Sequence, residues 1–327
     1  MRPPTLVTGG TGLIGRHVVR RLLAEGRPVR LLVREPGRID PEVRGRVQVT
    51  QGDVRDAHAL GSAVQGVHTV LHLAGYARAW SRDPGAFASV NVHAVELLLE
   101  AAFDAGVERL VHVSTCLTLP ECHPEPAREA RRLTPYEETK LLGERLVLSY
   151  AAQGRHALIV HPTRVYGPGP LNDANGVTRV VALYLKAPLI LRLDDGDVLA
   201  NYVHAADVAA GIVLAADLGH PAAHYILGGE NSSFRGLLNL VGELVGRRRP
   251  MLPLPRPAAL AVAHAAQLWG RLGGTAAITP DWVRAYFEDQ RIDITPTRRE
   301  LGYAPRPLRQ GLKETIAWLR SGSRAAA

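Results

Sequence analysis

The stretch TLVTGGTGLIG at residues 5–15 decides the fold class of this sequence. A short apolar β-type run is followed by a glycine-rich turn and then by LIGRHVVRRLLAEG, whose apolar residues recur with helical spacing. Gly9, Gly12 and Gly15 are spaced as in turns that bind phosphates, where glycine lets the backbone approach a pyrophosphate at a helix N-terminus. Strand, turn and helix in this order predict a dinucleotide-binding unit, with a plain tight turn as the alternative.

The alternation of strand-like and helix-like segments continues through the first half of the chain. Helical spacing of apolar residues is most extensive at 84–105 and 135–153. Buried strands that alternate with helices predict a parallel sheet with helices on both faces. The predicted fold class is therefore α/β, a Rossmann-type doubly wound parallel sheet with a smaller C-terminal substrate lobe. The apolar β-type runs after the first lie at residues 29–33, 47–53, 68–75, 109–115 and 156–162.

The strand–helix rhythm breaks after about residue 165, where proline and glycine cluster in YGPGP. We therefore expect a dinucleotide-binding domain over residues 1–165 and a mostly substrate-binding lobe over 166–320. The two are expected to interleave, because segments such as 201–217 still have the pattern of sheet and helix and would return to the first domain. Residues 321–327 are expected to form a frayed tail.

Composition and charge limit the classes of partner and the cellular compartment that we expect for this protein. The formal net charge is +8, but the 39 basic side chains are mixed with 31 acidic ones, so nucleic acid is not an expected partner. No apolar run approaches 18 residues, and no integral membrane segment is expected. Cys116 and Cys122 have no disulfide or metal spacing, and no apolar signal region precedes the first strand. These observations predict a cytoplasmic protein without a metal site that acts on a small molecule.

Lys140 is conspicuous because only three of the 39 basic side chains are lysines. In PYEETK, Tyr136 and Lys140 are four residues apart, so on a helix they leave the same face one turn apart. A free tyrosine has a pKa of about 10, and a neighbouring ammonium is expected to lower it. The ammonium can also donate to a nicotinamide ribose hydroxyl, where a guanidinium is not equivalent. The pair is therefore predicted to be catalytic; the alternative is two ordinary surface residues.

Two hydroxyl groups end the fifth strand, in HVST at residues 112–115. The carboxyl end of a parallel strand is where open α/β sheets bind ligands. A hydroxyl there can hydrogen-bond a substrate carbonyl oxygen and stabilise the negative charge that develops on it. Thr115 is the first candidate for this role and Ser114 the second.

Arg34 and Arg38 follow the second strand, where an enzyme for NAD usually has an acidic residue that accepts hydrogen bonds from the ribose 2′-hydroxyl. A guanidinium can instead form a forked, charge-assisted contact with a 2′-phosphate. The sequence therefore favours NADP(H) over NAD(H), although a surface arginine competes as an interpretation in so arginine-rich a chain. Asp53, after the third strand, is placed to contact the adenine.

Nine motifs recur in a familiar order over nearly the whole chain: TGGTGLIG, GDVRD, HLAG, NVHAVELLLEAA, VHVST, YEETK, HPTRVYGPG, NYVHAADVA and RRELGYAPRPLRQGLKETIAWLR. The chain thereby resembles the extended short-chain dehydrogenases/reductases, the NAD-dependent epimerase/dehydratase superfamily. The resemblance implies a catalytic set of Thr115 (or Ser114), Tyr136 and Lys140. It implies that Asn91 supports a water near the lysine and that Pro162 lies beside the nicotinamide. It also implies cofactor contacts at Gly9, Thr11, Gly12, Leu13, Ile14, Gly15, Val54, Leu73, Ala74, Gly75, Tyr136, Lys140, Arg164 and Val165.

Three departures from the family patterns narrow the branch. Dehydratases resemble one another in having Asp-Glu directly after the catalytic threonine, where this chain has Cys116-Leu117. Sugar epimerases commonly read S-x-x-V-Y-G there, and nucleotide-sugar enzymes usually have an arginine at the position of Ala200. The chain looks more like the dihydroflavonol-4-reductase and 3β-hydroxysteroid dehydrogenase-like branch. That likeness implies an NAD(P)(H)-dependent oxidoreductase that interconverts a ketone and a secondary alcohol on a small apolar or aromatic substrate.

Several alternatives stay open at this point. A sugar or nucleotide-sugar epimerase with an altered phosphate grip would retain tightly bound NAD. A non-catalytic NADP(H) sensor or scaffold would usually have lost the tyrosine or the lysine. The segment 257–270, PAALAVAHAAQLWG, is expected to be a small-residue helix packed on the lobe below it, with a lid or a shallow membrane contact as alternatives. The resemblance also implies a homodimer through the helical segments 84–105 and 135–153.

Overall fold

The computed structural model describes residues 3–122, 133–192, 198–272, 274 and 278–324. The described strands are β1 Thr5–Thr8, β2 Val29–Val33, β3 Gln48–Gln51, β4 Thr69–His72, β5 Arg109–Val113, β6 His156–Pro162, β7 Arg164–Tyr166, β8 Ile190–Arg192, β9 Leu199–His204, β10 His224–Leu227, β11 Glu230–Ser233 and β12 Met251–Pro253.

The α-helices alternate with the strands in the first half of the chain and cluster in the second. They are α1 Leu13–Ala24, α2 Pro41–Arg44, α3 Ala57–Val64, α4 Gly85–Ala88, α5 Ala94–Asp104, α6 Pro135–Ala152, α7 Gly176–Lys186, α8 Ala205–Leu218, α9 Phe234–Val245, α10 Arg256–Arg271, α11 Pro280–Ala285, α12 Thr295–Leu301 and α13 Leu308–Arg324. A π-helical turn, Ser89–His93, joins α4 to α5.

The centre of the fold is a seven-stranded sheet in the order β10-β6-β5-β4-β1-β2-β3. All its neighbouring strands are parallel. The strand order reverses between β1 and β4, and such switch points are where doubly wound sheets bind dinucleotides. The predicted α/β Rossmann-type fold is therefore confirmed.

Helices cover both faces of this sheet because each presents a stripe of apolar residues at helical spacing. Helices α1 and α8 pack on one face, with Val18 and Ile212 fully buried. Helices α3, α5 and α6 pack on the other face, with Leu60 and Val147 fully buried. Strand β3 departs from the buried pattern expected of it: three of its four residues are exposed, because it is the edge of the sheet.

The second half of the chain builds a smaller lobe and also returns to the large sheet. Strands β7, β9 and β11 form a three-stranded sheet, and β8 pairs with β12. Helices α7, α9 and α13 share a separate apolar core with these strands. Helix α8 packs on α1, and β10 is an edge of the large sheet, so residues 205–227 belong to the nucleotide-binding layers. The return predicted for 201–217 thus begins later, since β9 lies in the small sheet.

The C-terminal end differs from the expected frayed tail. Helix α13 runs to Arg324, so the first four residues of the predicted tail are helical. Residues 325–327 lie outside the described part of the chain, as do residues 123–132 and 193–197.

One helical run in the described part, Gly85–Asp104, is long and apolar enough to cross a membrane by length and composition alone. It comprises α4, the π-helical turn and α5. Phe87, Val95 and Leu98 are buried inside the protein, and α5 packs on α3 and α6. The run is therefore a core helix of the nucleotide-binding layers.

Candidate active site

The glycine-rich turn between β1 and α1 has the geometry of a phosphate cradle. Gly9 has φ +70°, and a Cβ there would lie 2.7 Å from the Ala74 nitrogen. A Cβ on Gly15 would lie 2.1 Å from the Gly9 carbonyl oxygen, so α1 approaches the turn more closely than a side chain permits. Gly12 is the N-cap of α1 and provides no side-chain cap, which leaves the helix N-terminus open to an anion.

This cradle fits the pyrophosphate of a dinucleotide, since an uncapped helix N-terminus supplies N–H donors and the positive end of the helix dipole. The loop after β7 lies over the start of α1. His17 Nε2 donates to the Pro168 carbonyl oxygen at 2.9 Å, and a Cβ on Gly169 would lie 2.7 Å from Leu13 Cδ1. His17 was not singled out from the sequence. Four further predicted cofactor contacts are also partly buried, namely Thr11, Ile14, Val54 and Val165.

Arg34 and Arg38 are exposed beyond the carboxyl end of β2, as contact with a 2′-phosphate requires. Arg34 Nη1 lies 4.0 Å from Asp53 Oδ2, and Arg38 Nη1 lies 3.6 Å from Glu35 Oε1. Arg55 donates to Asp53 at 2.9 Å, and this hydrogen bond holds the pKa of the Asp53 carboxyl below its ordinary value. The structure therefore brings Arg34 and Asp53 together.

The segment Leu73–Gly75 follows β4 and lies beside the glycine-rich turn. The Ala74 N–H donates to the Thr8 hydroxyl oxygen at 3.2 Å, and that hydroxyl is hydrogen-bonded to His72 Nδ1 at 2.8 Å. The Leu73 N–H donates to the Thr8 carbonyl oxygen at 3.2 Å. Thr8 thus fixes two predicted cofactor positions, Leu73 and Ala74, against β1, a role that the sequence pattern did not indicate.

Thr115 and Ser114 lie buried at the carboxyl end of β5, and their hydroxyls have different partners. The Thr115 side chain lies close enough to Tyr136 to act against the rise in the pKa of its phenol. The Ser114 hydroxyl donates to the Glu144 carboxylate, which also accepts from the Thr118 hydroxyl at 2.6 Å. Of the two candidates, Thr115 is therefore the one that the structure places near Tyr136.

The pKa of Tyr136 moves in the opposite direction to the prediction. Burial raises it above the ordinary value, and the nearby Thr115 side chain opposes only part of that rise. Lys140 makes its contacts elsewhere: Nζ donates to the Val113 carbonyl oxygen at 2.8 Å and to His112 Nε2 at 3.1 Å. The predicted lowering is therefore wrong for this arrangement, and Tyr136 is a neutral phenol at neutral pH.

Lys140 is buried on α6, and burial lowers its pKa to about 8 although the Glu144 carboxylate acts to raise it. Its partner His112 stacks on His72, with ring centroids 5.4 Å apart. Burial lowers the pKa of His72 to about 3 and that of His112 well below its ordinary value, so both rings are neutral. The register of β4 and β5 pairs these histidines, and this long-range pairing could not be read from local sequence.

Asn91 lies buried in the π-helical turn, and its side chain joins two parts of the site. Its Oδ1 accepts from the Tyr76 N–H at 2.8 Å, and its Nδ2 donates to Thr139 Oγ1 at 3.1 Å. A Cβ on Gly143 would lie 2.5 Å from the Asn91 carbonyl oxygen, so α6 passes very close to the turn. Asn91 therefore fixes the loop after β4 against the helix that contains Tyr136 and Lys140.

A polar cluster behind Ser114 was not anticipated. His161 Nδ1 donates to the Thr115 carbonyl oxygen at 3.0 Å and lies 3.8 Å from Glu144 Oε1. His161 Nε2 accepts from His224 Nδ1 at 2.9 Å, and the two rings are only 16° from parallel. Glu144, His161 and His224 form the one group, within the described ranges, that could hold a metal. Because nearly parallel rings do not converge their lone pairs on one point, we interpret the cluster as a hydrogen-bond network that positions Thr115.

Pro162 ends β6 in a buried position beside this cluster. Arg164, two residues further, is directed toward the smaller lobe. Its guanidinium carbon lies 4.6 Å from the Tyr286 ring centroid, and Nη2 donates to Gln290 Oε1 at 3.0 Å. The structure therefore gives Arg164 contacts with the smaller lobe, and its contact with a cofactor stays a prediction.

The phosphate cradle at the switch point of the parallel sheet defines the class as a dinucleotide-binding protein of Rossmann type. The NAD dependent epimerase/dehydratase family matches residues 5–228, and the chain belongs to this family. The family predicted from the sequence motifs is thereby confirmed, and relatives of the dihydroflavonol-4-reductase and 3β-hydroxysteroid dehydrogenase-like branch are among those matched.

Two relatives match nearly the full chain. Sterol demethylase protein B of Methylococcus capsulatus is 29% identical, covering 97% of this chain and 98% of the relative. The 4-hydroxy-2-methyl-3-oxo-4-farnesyl-3,4-dihydroquinoline-1-oxide ketoreductase of Stigmatella aurantiaca is 30% identical, covering 94% of this chain and 93% of the relative.

Solved structures show the same architecture. The crystal structure of gox2253 superposes with a TM-score of 0.80 at 28% identity and 99% coverage of both chains. MoeE5 in complex with UDP-glucuronic acid and NAD superposes with a TM-score of 0.74 at 26% identity, covering 98% of this chain and 99% of MoeE5. The family therefore includes proteins that bind NAD and nucleotide sugars as well as ketoreductases.

Proposed function

We propose that this protein is an NADP(H)-dependent oxidoreductase that interconverts a ketone and a secondary alcohol, with Tyr136 as the acid/base. The observation that carries the proposal is the position of Tyr136 and Lys140 on the helix that meets the carboxyl end of β5, where Lys140 Nζ donates to the Val113 carbonyl oxygen at 2.8 Å. Lys140 lies one turn further along α6, and the phosphate cradle lies at the neighbouring switch point. These are the groups that hydride transfer to a carbonyl requires.

The proposed chemistry assigns each group one task. A nicotinamide dinucleotide whose pyrophosphate is held by the cradle would supply or accept the hydride. Thr115 would donate to the substrate carbonyl oxygen and stabilise the charge that develops on it. Tyr136, kept neutral by burial, would give its phenolic proton to the same oxygen during reduction. The ammonium of Lys140 would stabilise the phenolate that remains, and alcohol oxidation would run through the same atoms in reverse.

An apolar substrate is proposed on two grounds. The names of the two relatives refer to a sterol and to a farnesylated quinoline oxide. Ala200, at the position where nucleotide-sugar enzymes usually have an arginine, is buried in β9 and offers no charge to a diphosphate. A screen of steroid and prenylated ketones with NADPH is therefore the first substrate assay, with oxidation of NADPH as the signal.

The cofactor preference is tested without any substrate. Arg34→Ala removes the exposed guanidinium beside Asp53, and Arg299→Ala removes an exposed guanidinium on α12 as the matched control. We expect NADPH to bind wild type and the control alike, and binding to Arg34→Ala to weaken at least tenfold because a charge-assisted contact is lost. NADH binding should change little. Equal loss of both cofactors, or none, contradicts the NADP(H) assignment.

An epimerase acting on a sugar or nucleotide sugar is the second candidate, favoured by the similarity to MoeE5 with its UDP-sugar and NAD. Such an enzyme retains its cofactor, so NAD released from the denatured, freshly purified protein would support it. A non-catalytic NADP(H) sensor is the candidate from another class. It would bind NADPH yet turn over no ketone, and Tyr136→Phe would leave its function intact.

The proposed compartment is the cytoplasm, where the buried, reduced thiols of Cys116 and Cys122 would persist. A homodimer through α5 and α6 is proposed on the groove between them, which Leu99, Phe103 and Leu146 help to line. Phe103 is an exposed aromatic residue in that groove. Sedimentation velocity on Phe103→Asp tests the dimer.

A further inference from the structure

Helix α10 buries only its smallest side chains. Ala259, Ala263 and Gly270 are its buried residues, and the two alanines pack with Val283 of α11 in a small separate core. At 3.6 residues per turn these positions form one narrow strip along the helix. The segment 257–270 was predicted to be a helix of small residues packed on the lobe below it, and that packing explains only this buried strip.

A second strip on the same helix is apolar and exposed, and we name it the exposed α10 face. It occupies an arc of roughly 120°, on the opposite side from the buried strip. Its large members are exposed to an unusual extent: Trp269 by 64%, Leu272 by 74%, Leu268 by 58% and Val262 by 52%. No polar residue interrupts the arc. The face consists of Ala258, Ala261, Val262, Ala265, Leu268, Trp269 and, directly after the helix, Leu272.

The charge along the part of the sequence that contains this helix has one sign. Between Glu243 and Asp281 the sequence contains five arginines and no acidic residue. Arg256 begins α10 and Arg271 ends it, and both are exposed. Arg247 and Arg248, in the segment before β12, are exposed as well. An apolar face on a helix with a guanidinium group at each end complements a surface that is apolar below and anionic above.

We propose that the exposed α10 face docks the protein on an anionic membrane surface. Helix α10 would lie in the plane of the interface, with Trp269 and the leucines among the acyl chains and the arginines at the phosphate groups. A second copy of the chain is a poorer occupant. The helix is about 24 Å long and about 10 Å wide, so the face offers roughly 240 Å², whereas a stable protein interface buries about 800 Å² per partner.

The face also adjoins the candidate active site through one loop. The Gly274 N–H donates to the Trp269 carbonyl oxygen at 3.0 Å, and the Gly274 carbonyl oxygen accepts from Arg82 Nη2 at 3.4 Å. Arg82 belongs to the loop after β4. In the same loop the Tyr76 N–H donates to Asn91 Oδ1. Docking would therefore bring the loop after β4, beside the proposed substrate site, to the lipid surface. The docking itself does not depend on the proposed reaction.

Flotation with vesicles tests the proposal on the full chain. Wild type should float with vesicles of phosphatidylglycerol and phosphatidylcholine at low salt, and much less with phosphatidylcholine alone. The double variant Leu268→Gln/Leu272→Gln should lose at least about tenfold in partitioning. Leu218→Gln is the matched control, since Leu218 is 54% exposed on α8, and it should float like wild type. Arg256→Gln/Arg271→Gln should weaken binding to the anionic vesicles only.

Two controls keep the outcome decisive. NADPH titration and thermal unfolding of each variant should match wild type, because the exchanged side chains are exposed. Failure of wild type to float, or equal flotation of the leucine double variant, overturns the proposal. A dimer in sedimentation velocity that the leucine double variant abolishes, without vesicle binding by wild type, also overturns it and assigns the face to a second copy.

Discussion

Replacing Gly15 by alanine should damage the phosphate cradle while leaving the rest of the fold in place. The new Cβ would lie 2.1 Å from the Gly9 carbonyl oxygen, roughly 1 Å or more inside ordinary contact. That oxygen accepts from the Gly12 N–H at 3.0 Å and closes the turn, so it cannot retreat without opening the cradle. Overpacking of this kind costs about 1–3 kcal/mol. If the cost falls on the bound state, the dissociation constant for NADPH rises roughly 5- to 150-fold.

Gly61→Ala is the matched control for this substitution. Gly61 lies in α3, and a Cβ there would meet no atom within 4 Å. Alanine should therefore leave NADPH binding unchanged and raise the free energy of unfolding by about 0.5–1 kcal/mol, as it does in helices generally. The assay is NADPH fluorescence titration, with urea unfolding of both variants. A Gly15→Ala protein that binds NADPH within twofold of wild type refutes the reasoning about the cradle.

Three further predictions concern the groups around Lys140. Thr115→Ala should lower kcat about 10²- to 10³-fold in the ketone assay. Ser114→Ala should change kcat by only a few-fold but lower the free energy of unfolding by about 1–3 kcal/mol, because the buried Glu144 carboxylate loses a hydrogen-bond donor. The pKa of Lys140 is about 8 in the folded state and near 10.5 in the unfolded state, so the folded state loses its proton at lower pH. The free energy of unfolding of wild type should therefore rise by about 2 kcal/mol between pH 7.5 and 9.5. Urea unfolding of Lys140→Met should not show this rise. Glu144→Gln should move the same gain to lower pH, since the carboxylate raises the pKa of Lys140; an unchanged midpoint would show that the two groups are uncoupled.

The parts of this site that local sequence could predict are those that local geometry fixes. The glycine spacing implies the cradle because strand, turn and helix are contiguous, and the four-residue interval places Tyr136 and Lys140 on one face of a helix. The partners of Lys140 were out of reach, because His112 lies 28 residues away on a strand whose register is a tertiary property. The pKa of Tyr136 was predicted with the wrong sign because burial dominates it, and burial is decided by the whole fold.

The same limit applies to α10 and to the residues around Glu144. An alanine-rich helix has apolar residues on more than one side, so periodicity alone cannot tell which strip is buried and which is exposed. The role of His161 was also out of reach, because its partners, the Thr115 carbonyl oxygen and His224, are brought to it by the pairing of β6 with β5 and β10.

The hydroxyl of Thr8 has a consequence for how the protein is made. Its partners, His72 and the Ala74 N–H, are more than sixty residues further along the chain, and β1 takes its place in the sheet only between β2 and β4. A nascent chain that has emerged only as far as α1 therefore has the glycine motif but not the cradle. Closing such a long loop is slow, so competence to hold a dinucleotide arises late in folding. A dinucleotide that binds only the folded protein then shifts the folding equilibrium toward the folded state by mass action. The size of this shift grows with the cellular concentration of the dinucleotide.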